Sequence, residues 1–353
     1  MRITRIDVWR VSMQLIEPYS IAYETVDRAE NIFVLLHTDG PHQGIGCAAP
    51  VEAVTGETVD ETERFLRDTV ADLLVGRDPT RLAALAAIVG RHARARPSAR
   101  AAVDMALHDL LSRIAGLPLY RLLGAYRTRI RTSVTIGIHG LDETVRRART
   151  RVTEGFSCLK IKGGLSADED AERVIAVRRA VGPRVTLRFD ANQGYTVAQA
   201  LEFLRAAAAA DLELLEQPTL IAQPDALGEV SRNALIPVMA DESVLSLRDA
   251  FFVARRELVD MINIKLMKTG GITEAMQINA VARSAGVPTM VGCMDEAAVG
   301  VAAGLHFALS RPNIRYADLD GHLDLVGDPS AGCVEVRHGM LYPRERPGLG
   351  WLP

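Results

Sequence analysis

The chain has 353 residues, 48% of them hydrophobic, and a formal net charge of −3. That length accommodates one large domain or two ordinary ones, with ample material for a core, and the charge offers no general attraction to nucleic acid or an anionic membrane. Cys47, Cys158, Cys293 and Cys333 are scattered, with no Cys-x-x-Cys pair, which excludes the usual disulfide-scaffold and structural-zinc patterns. The first residues alternate polar and apolar like a strand, and no apolar run reaches the roughly 20 residues of a membrane span, so the protein is expected in the cytoplasm.

Residues 2–13 and 31–47 read as strands, with Asp39-Gly40 expected to supply positive φ in a turn between Ile32–Thr38 and Gln43–Cys47. The basic run Arg91–Arg100 reads as a solvated loop ahead of a helix. Ser98 is the expected cap of that helix, Ala102, Met105, Ala106, Leu110 and Ile114 form its apolar stripe, and Gly116 ends it. Residues 1–125 therefore read as a separate α+β domain, closed by Pro118–Gly124. An alternating pattern follows over 126–320. Strands are predicted at Thr132–Gly137, Ser157–Lys162, Val185–Asp190, Glu213–Glu216, Pro237–Asp241, Met261–Lys265, Pro288–Gly292 and Ile314–Asp318. Helices are predicted between them at Glu169–Ala180, Val197–Ala208, Leu247–Arg256, Ile272–Ala285 and Val299–Leu309, lengths that suit crossovers in an α/β barrel. Ala206–Ala210 reads as a small-residue helix face. Residues 321–353, rich in Gly and Pro, are expected to return to the first domain.

Chemistry falls at the strand ends. Lys162, Asp190, Glu216, Asp241 and Lys265 follow one another at 28, 26, 25 and 24 residues, each closing an apolar run, so all five are expected at one barrel mouth. One such acid is most simply a salt-bridge partner. Three in phase, without His or Cys, suit a hard cation, Mg²⁺ or else Mn²⁺. Lys160 and Lys162 share a strand face, and their mutual repulsion is expected to lower the pKa of at least one. Lys265 is expected on the opposite wall, so that two bases face one metal-held carboxylate and can take an α-proton from one side and return it to the other.

The Lys-x-Lys strand, the runs Asp190-Ala191-Asn192-Gln193-Gly194, Glu216-Gln217-Pro218 and Asp241-Glu242-Ser243, and the stretch from Asn263-Ile264-Lys265 through Lys268-Thr269-Gly270-Gly271 together resemble the enolase superfamily, muconate lactonizing enzyme subgroup. The likeness spans nearly the whole chain. It implies a (β/α)7β TIM-like barrel with an N-terminal α+β capping domain and one Mg²⁺. It also implies a carboxylate substrate whose α-proton is removed to give an enediolate. Lys162 and Lys265 are implied as the acid/base pair, with Lys268 a rival for the second role, and Lys160 as support for the substrate carboxylate.

The subgroup holds cycloisomerases, o-succinylbenzoate synthases, N-acylamino acid racemases and dipeptide epimerases. Asp318-Leu319-Asp320 places two acids at i and i+2, suited to a cation, and similar pairs in dipeptide epimerases hold the substrate's α-ammonium. The resemblance thus implies a dipeptide as the small-molecule partner, inverted at its C-terminal α-carbon. In the loop Pro18–Val26, Glu24 stands where L-Ala-D/L-Glu epimerases carry arginine, and Asp295 adds an acid after the seventh strand. Such a pocket is expected to favour lysine or arginine side chains. Thr135 is a candidate hydrogen-bond donor to the substrate. Cys293 and Met294 are expected to line the cavity, since no His accompanies the thiol. The other reactions of the subgroup, epimerisation of Ala-Glu, and a non-catalytic metal-binding barrel are the alternatives. A homo-oligomer of unspecified order is open.

Overall fold

In the computed structural model, residues 1–20 and 25–352 are described. Alternation along the first fifty residues produces three antiparallel strands, β1 (Ile3–Ser20), β2 (Thr25–Thr38) and β3 (Gln43–Ala48), in register with Ile6 opposite Leu36 and Leu35 opposite Ile45. The hairpin between β2 and β3 uses the longer loop Thr38–His42, tied by Thr38 Oγ1 donating to His42 O at 2.8 Å; neither Asp39 nor Gly40 has positive φ, contrary to expectation. The helix Pro97–Ile114 lies against β3. Gly44 and Gly46 allow that contact, because a Cβ on either would collide with the carbonyls of Ala106 and Ala102. Ser98 does not cap this helix. It sits inside the first turn, where its N–H is accepted by Glu57 Oε1 at 2.5 Å, a cap supplied from 41 residues away.

After β4 (Ile130–Arg131), short buried strands alternate with helices: β5 (Val134–Ile136), β6 (Cys158–Lys162), β7 (Thr186–Asp190), β8 (Leu212–Glu216), β9 (Val238–Ala240), β10 (Met261–Lys265), β11 (Thr289–Gly292) and β12 (Ile314–Asp318). Among the described residues these eight form one parallel sheet in sequential order. A bridge between Thr132 and Ala317, with Ser133 N donating to Ala317 O at 3.2 Å, joins β12 back towards β5 and closes the barrel. The crossover helices fall close to their expected spans, and two more, Leu141–Thr153 and Pro224–Asn233, complete the ring. Ala207–Ala210 forms a 3-10 turn rather than a continued helix face, ended by Asp211 in the left-handed region.

The C-terminal segment serves both parts of the molecule. β13 (Leu325–Val326) adds to the first sheet beside β1, with Leu15 opposite Leu325. β14 (Val334–Arg337) and β15 (Met340–Pro343) form a second small sheet with β4. No helix among the described residues is long and apolar enough to cross a membrane.

Candidate active site

Side chains two apart on a strand share a face, and parallel register sets neighbouring strand ends side by side. Lys162 therefore pairs across to Asp190, and Asp190 to Glu216. With Asp241 just beyond β9, the three carboxylates are fully buried and offer oxygens all within 4.8 Å of one another. Lysine ammonium groups crowd this triad. Lys160 Nζ lies 3.0 Å from Asp190, 2.8 Å from Glu216 and 2.8 Å from Asp318. Lys162 Nζ donates to Asp190 at 2.8 Å and to Asn192 at 2.9 Å. From the other side, Lys265 and Lys268 reach opposite oxygens of Asp241 at 2.8 and 2.6 Å. Since β6 and β10 stand four places apart in the eight-stranded order, Lys162 and Lys265 occupy opposite walls.

This charge pattern changes the expected lysine chemistry. Burial pushes Lys160 down, but Asp190, Asp318, Glu216 and Asp241 outweigh it and hold the ammonium well above the ordinary lysine range. Lys265 likewise rises, burial being overcome by Asp241. Repulsion between Lys160 and Lys162 is thus outweighed by the carboxylates at Lys160, a balance that a metal ion on those carboxylates would shift. Lys268, where burial dominates, is lowered; it is fully enclosed and clasps Asp241 through both the side chain and the carbonyl, as a support rather than a group facing the cavity.

The triad fits a hard divalent cation. Burial, opposed by Lys160 and reinforced by Asp190 and Asp241, pushes Glu216 up to about 7. The donor set is three carboxylates with no nitrogen or sulfur ligand, which suits Mg²⁺. Neighbours orient the donors: Asn263 Nδ2 donates to Glu216 at 2.7 Å, Asn192 N to Asp190 at 3.0 Å, and Gln217 Oε1 accepts the Asp241 N–H at 3.0 Å.

Above the triad lies a cavity of about 440 Å³ between the barrel mouth and the first sheet. Lys160, Lys162, Lys265, Thr135, Cys293, Met294, Asp295, Asp318 and Asp320 line it together with Asp241, whereas Asp190 and Glu216 are not part of its wall and adjoin it through Lys160. Glu24 lies outside the described residues. The Cys293 thiol is pushed well up by burial and the acids Asp320, Glu296 and Asp318, and it donates to Asp318 O at 3.3 Å. Thr135 meets the site through its backbone: its N–H donates to Asp320 at 2.6 Å. Burial, reinforced by Asp318 and opposed by the Thr135 hydrogen bonds and Lys160, lifts Asp320 up to about 7.

Nearer the opening, Arg147 and Arg151 are committed to acids. Arg147 pairs with Glu17 and Glu143, and Arg151 with Asp324 at 2.9 Å. Among the described residues the Asp295 carboxylate makes no ion pair and accepts from Tyr19 Oη at 2.8 Å, while its backbone carbonyl accepts from Asn31 Nδ2 at 3.0 Å. Tyr19, Asn192, Asn263 and the support by Lys268 carry no separate signal in the sequence beyond lying in or beside the motifs; Ser133 and Arg188, buried beneath the site, carry none.

A barrel mouth with a buried carboxylate triad and a lysine on each wall defines a metal-assisted proton-transfer enzyme acting next to a carboxylate. Residues 3–124 match the mandelate racemase / muconate lactonizing enzyme N-terminal domain, and residues 143–352 match the enolase C-terminal domain-like family. The chain belongs to this branch of the enolase superfamily. It is 40% identical over 352 residues to the L-Lys-D/L-Arg epimerase of Desulforapulum autotrophicum, covering 99% of both chains. Its fold superposes on the dipeptide epimerase of Methylococcus capsulatus complexed with Mg and L-Arg-D-Lys, with a TM-score of 0.95, 37% identity and full coverage of both chains. On a substrate-liganded complex of the Bacillus subtilis L-Ala-D/L-Glu epimerase the TM-score is 0.96 at 36% identity, over 100% of this chain and 99% of that one.

Proposed function

We propose that this protein is a Mg²⁺-dependent dipeptide epimerase that inverts the C-terminal residue and prefers dipeptides with lysine or arginine side chains. The observation that carries the reading is the placement of Lys162 and Lys265 on opposite walls of one cavity, with the acid triad between them. Epimerisation requires two proton-transfer groups on opposite faces of one carbon, and a one-base elimination does not. Relatives named as epimerases of basic and acidic dipeptides share the fold over the full chain, and the cation-matched members include one complexed with L-Arg-D-Lys.

In this reading Asp190, Glu216 and Asp241 hold the Mg²⁺. Bound there, the cation supplies positive charge as negative charge builds on the substrate carboxylate. Lys160 binds the same carboxylate from the barrel floor. Asp318 and Asp320 accept the substrate's α-ammonium, which fixes the distance between the N-terminus and the reacting carbon and so selects dipeptides. One of Lys162 and Lys265 takes the α-proton, the carbon becomes planar, and the other lysine delivers a proton to the opposite face. Each lysine is base for one stereoisomer and acid for its epimer. Asp295, held by Tyr19 and without an ion-pair partner, is the described acid placed to accept a cationic side chain.

The test is proton NMR in D₂O with Mg²⁺ and a panel of dipeptides. Loss of the C-terminal α-proton signal, fastest with Lys-Arg or Arg-Lys, is the expected outcome. Faster exchange in Ala-Glu would discard the basic preference, and no exchange in any dipeptide would discard the epimerase.

A further inference from the structure

Asp170 is a buried carboxylate that the proposed reaction leaves without a task. It stands in the first turn of the helix Ala167–Val181, outside the wall of the cavity, and three donors converge on it. Its Oδ2 accepts the Gly164 N–H at 2.8 Å and the Tyr195 hydroxyl, and its Oδ1 accepts from Arg173 Nη2. Arg173 Nη1 in turn reaches His139 O at 3.3 Å. Removal from water is costly for a carboxylate unless donors surround it, and these three meet that need.

Two segments that leave the site meet at this acid. Gly163 and Gly164 come directly after Lys162 at the end of β6, and Ala191–Tyr195 come directly after Asp190 at the end of β7. They run in backbone contact: Gly163 N donates to Asp190 O at 2.9 Å, a Cβ on Gly164 would strike Ala191 O, and one on Gly194 would strike Gly164 O. Asp170 Oδ2 takes one donor from each segment, so a single oxygen ties the turn behind the lysine to the loop behind the triad acid. Lys162 Nζ and Asp190 Oδ2 stand 2.8 Å apart, a spacing that depends on these two segments keeping register. On the opposite wall the chain after Lys265 is fastened by a separate device, Lys268 on Asp241, which shares no residue with the first.

We propose that Asp170 and Tyr195 are positioning residues for Lys162, fastening the turn that follows it to the loop that follows Asp190. The two proton-transfer groups then rest on independent supports, and the support of one face of the substrate can be weakened while the other is kept. This rests on the two-lysine reading for what Lys162 does, while the fastening of the two segments stands without it.

Tyr195→Phe deletes the hydroxyl and keeps the ring against Phe189 and Phe203. Deuterium exchange at the C-terminal α-carbon without inversion reports each face separately; epimerisation does not, because the ratio of kcat/KM in its two directions is fixed by the equilibrium constant. The stereoisomer that Lys162 deprotonates is the one that Lys162→Ala no longer exchanges. Its exchange is expected to fall about tenfold in Tyr195→Phe, with exchange of the epimer within about twofold of wild type. Asp170→Asn, which keeps the shape but leaves one acceptor oxygen for three donors, is expected to repeat the pattern and stands in if Tyr195→Phe does not fold. An equal loss for both stereoisomers, as a merely structural role would give, overturns the proposal, and so does a loss confined to the epimer or no loss at all. A second readout needs no turnover: acetylation of Lys162 by acetic anhydride, measured by mass spectrometry relative to Lys265 in the same Mg²⁺-loaded sample, is expected to rise in Tyr195→Phe, and an unchanged ratio overturns it. Wild-type protein inert towards every dipeptide would sink the functional reading alone, with the acetylation ratio still deciding the positioning.

Discussion

Replacing Asp295 by asparagine isolates charge recognition from the rest of catalysis. The side chain keeps its shape and its contact with Tyr19 Oη, 2.8 Å away, while the cavity loses an acid that no arginine or lysine pairs among the described residues. A full charge pair at about 4 Å in an effective dielectric of about 20 is worth about 4 kcal/mol. Asp295 is only part-buried and faces a cavity open to water, so screening and the cost of stripping water from the incoming cation reduce the gain to about 1–2 kcal/mol. That corresponds to a roughly 5–30-fold effect. Burial raises the Asp295 carboxyl above its ordinary value, opposed by Tyr19, Lys162 and Lys265, so the effect is expected to grow as pH rises. The assay is kcat/KM for L-Lys-L-Arg relative to L-Ala-L-Phe, followed by α-proton exchange, with melting curves to show that the fold is kept. The preference for the basic dipeptide is expected to drop by that factor in Asp295→Asn, and added salt is expected to erode it in the wild type. An unchanged ratio, or an equal loss for both substrates, would remove Asp295 from side-chain recognition.

Removing divalent ions with EDTA is expected to stop exchange, and Mg²⁺ at a hundred times its Kd to stabilise the fold by about 2.7 kcal/mol by mass action, read as a rise in melting temperature; no shift on titration refutes the triad as the metal site. Acid stability has its own marker in His306, whose Nδ1 accepts the Tyr120 N–H at 2.9 Å and which burial pushes down to about 3. The unfolded chain binds a proton there below about pH 6.5 and the folded one does not, so stability falls as pH drops, with a slope that approaches about 1.4 kcal/mol per unit and a loss of roughly 2.3 kcal/mol between pH 6.5 and 4.5. Urea unfolding of His306→Asn is expected to show a flatter dependence in that window; the wild-type slope in the variant would contradict this. His322, lowered by burial to about 4, contributes with the same sign and remains in the variant.

The barrel was legible because its signal is local and repeated: each strand is a short apolar run, and each ends on a charged residue that would be costly there without a role. Lys162, Asp190, Glu216, Asp241 and Lys265 could be placed by phase alone: the three acids lie together, and Lys162, Asp241 and Lys265 line the cavity beside them. What escaped depends on partners distant in sequence. Glu57 caps the helix at Ser98 across 41 residues, and no local cap motif announces it. Lys268 lies one turn past Lys265 and looks like an equal candidate until the turn Leu266–Thr269 carries it under Asp241. The pKa of Lys160 follows from four carboxylates on four different strands or loops, whereas the sequence makes only its neighbour Lys162 visible. Arg188 reads as an ordinary residue in an apolar strand because its partners Ser133 and Ala317 lie 55 and 129 residues away.

The proposed reaction depends on the division of labour between two lysines, and the most direct measurement follows both α-proton exchange and inversion in D₂O for Lys162→Ala and Lys265→Ala, starting from each C-terminal stereoisomer of one basic dipeptide. Two bases on opposite walls predict that neither variant epimerises, and that each still exchanges the proton of one stereoisomer only, the two variants serving opposite ones. A variant that epimerises at the wild-type rate, or two variants that exchange the same stereoisomer, would contradict it.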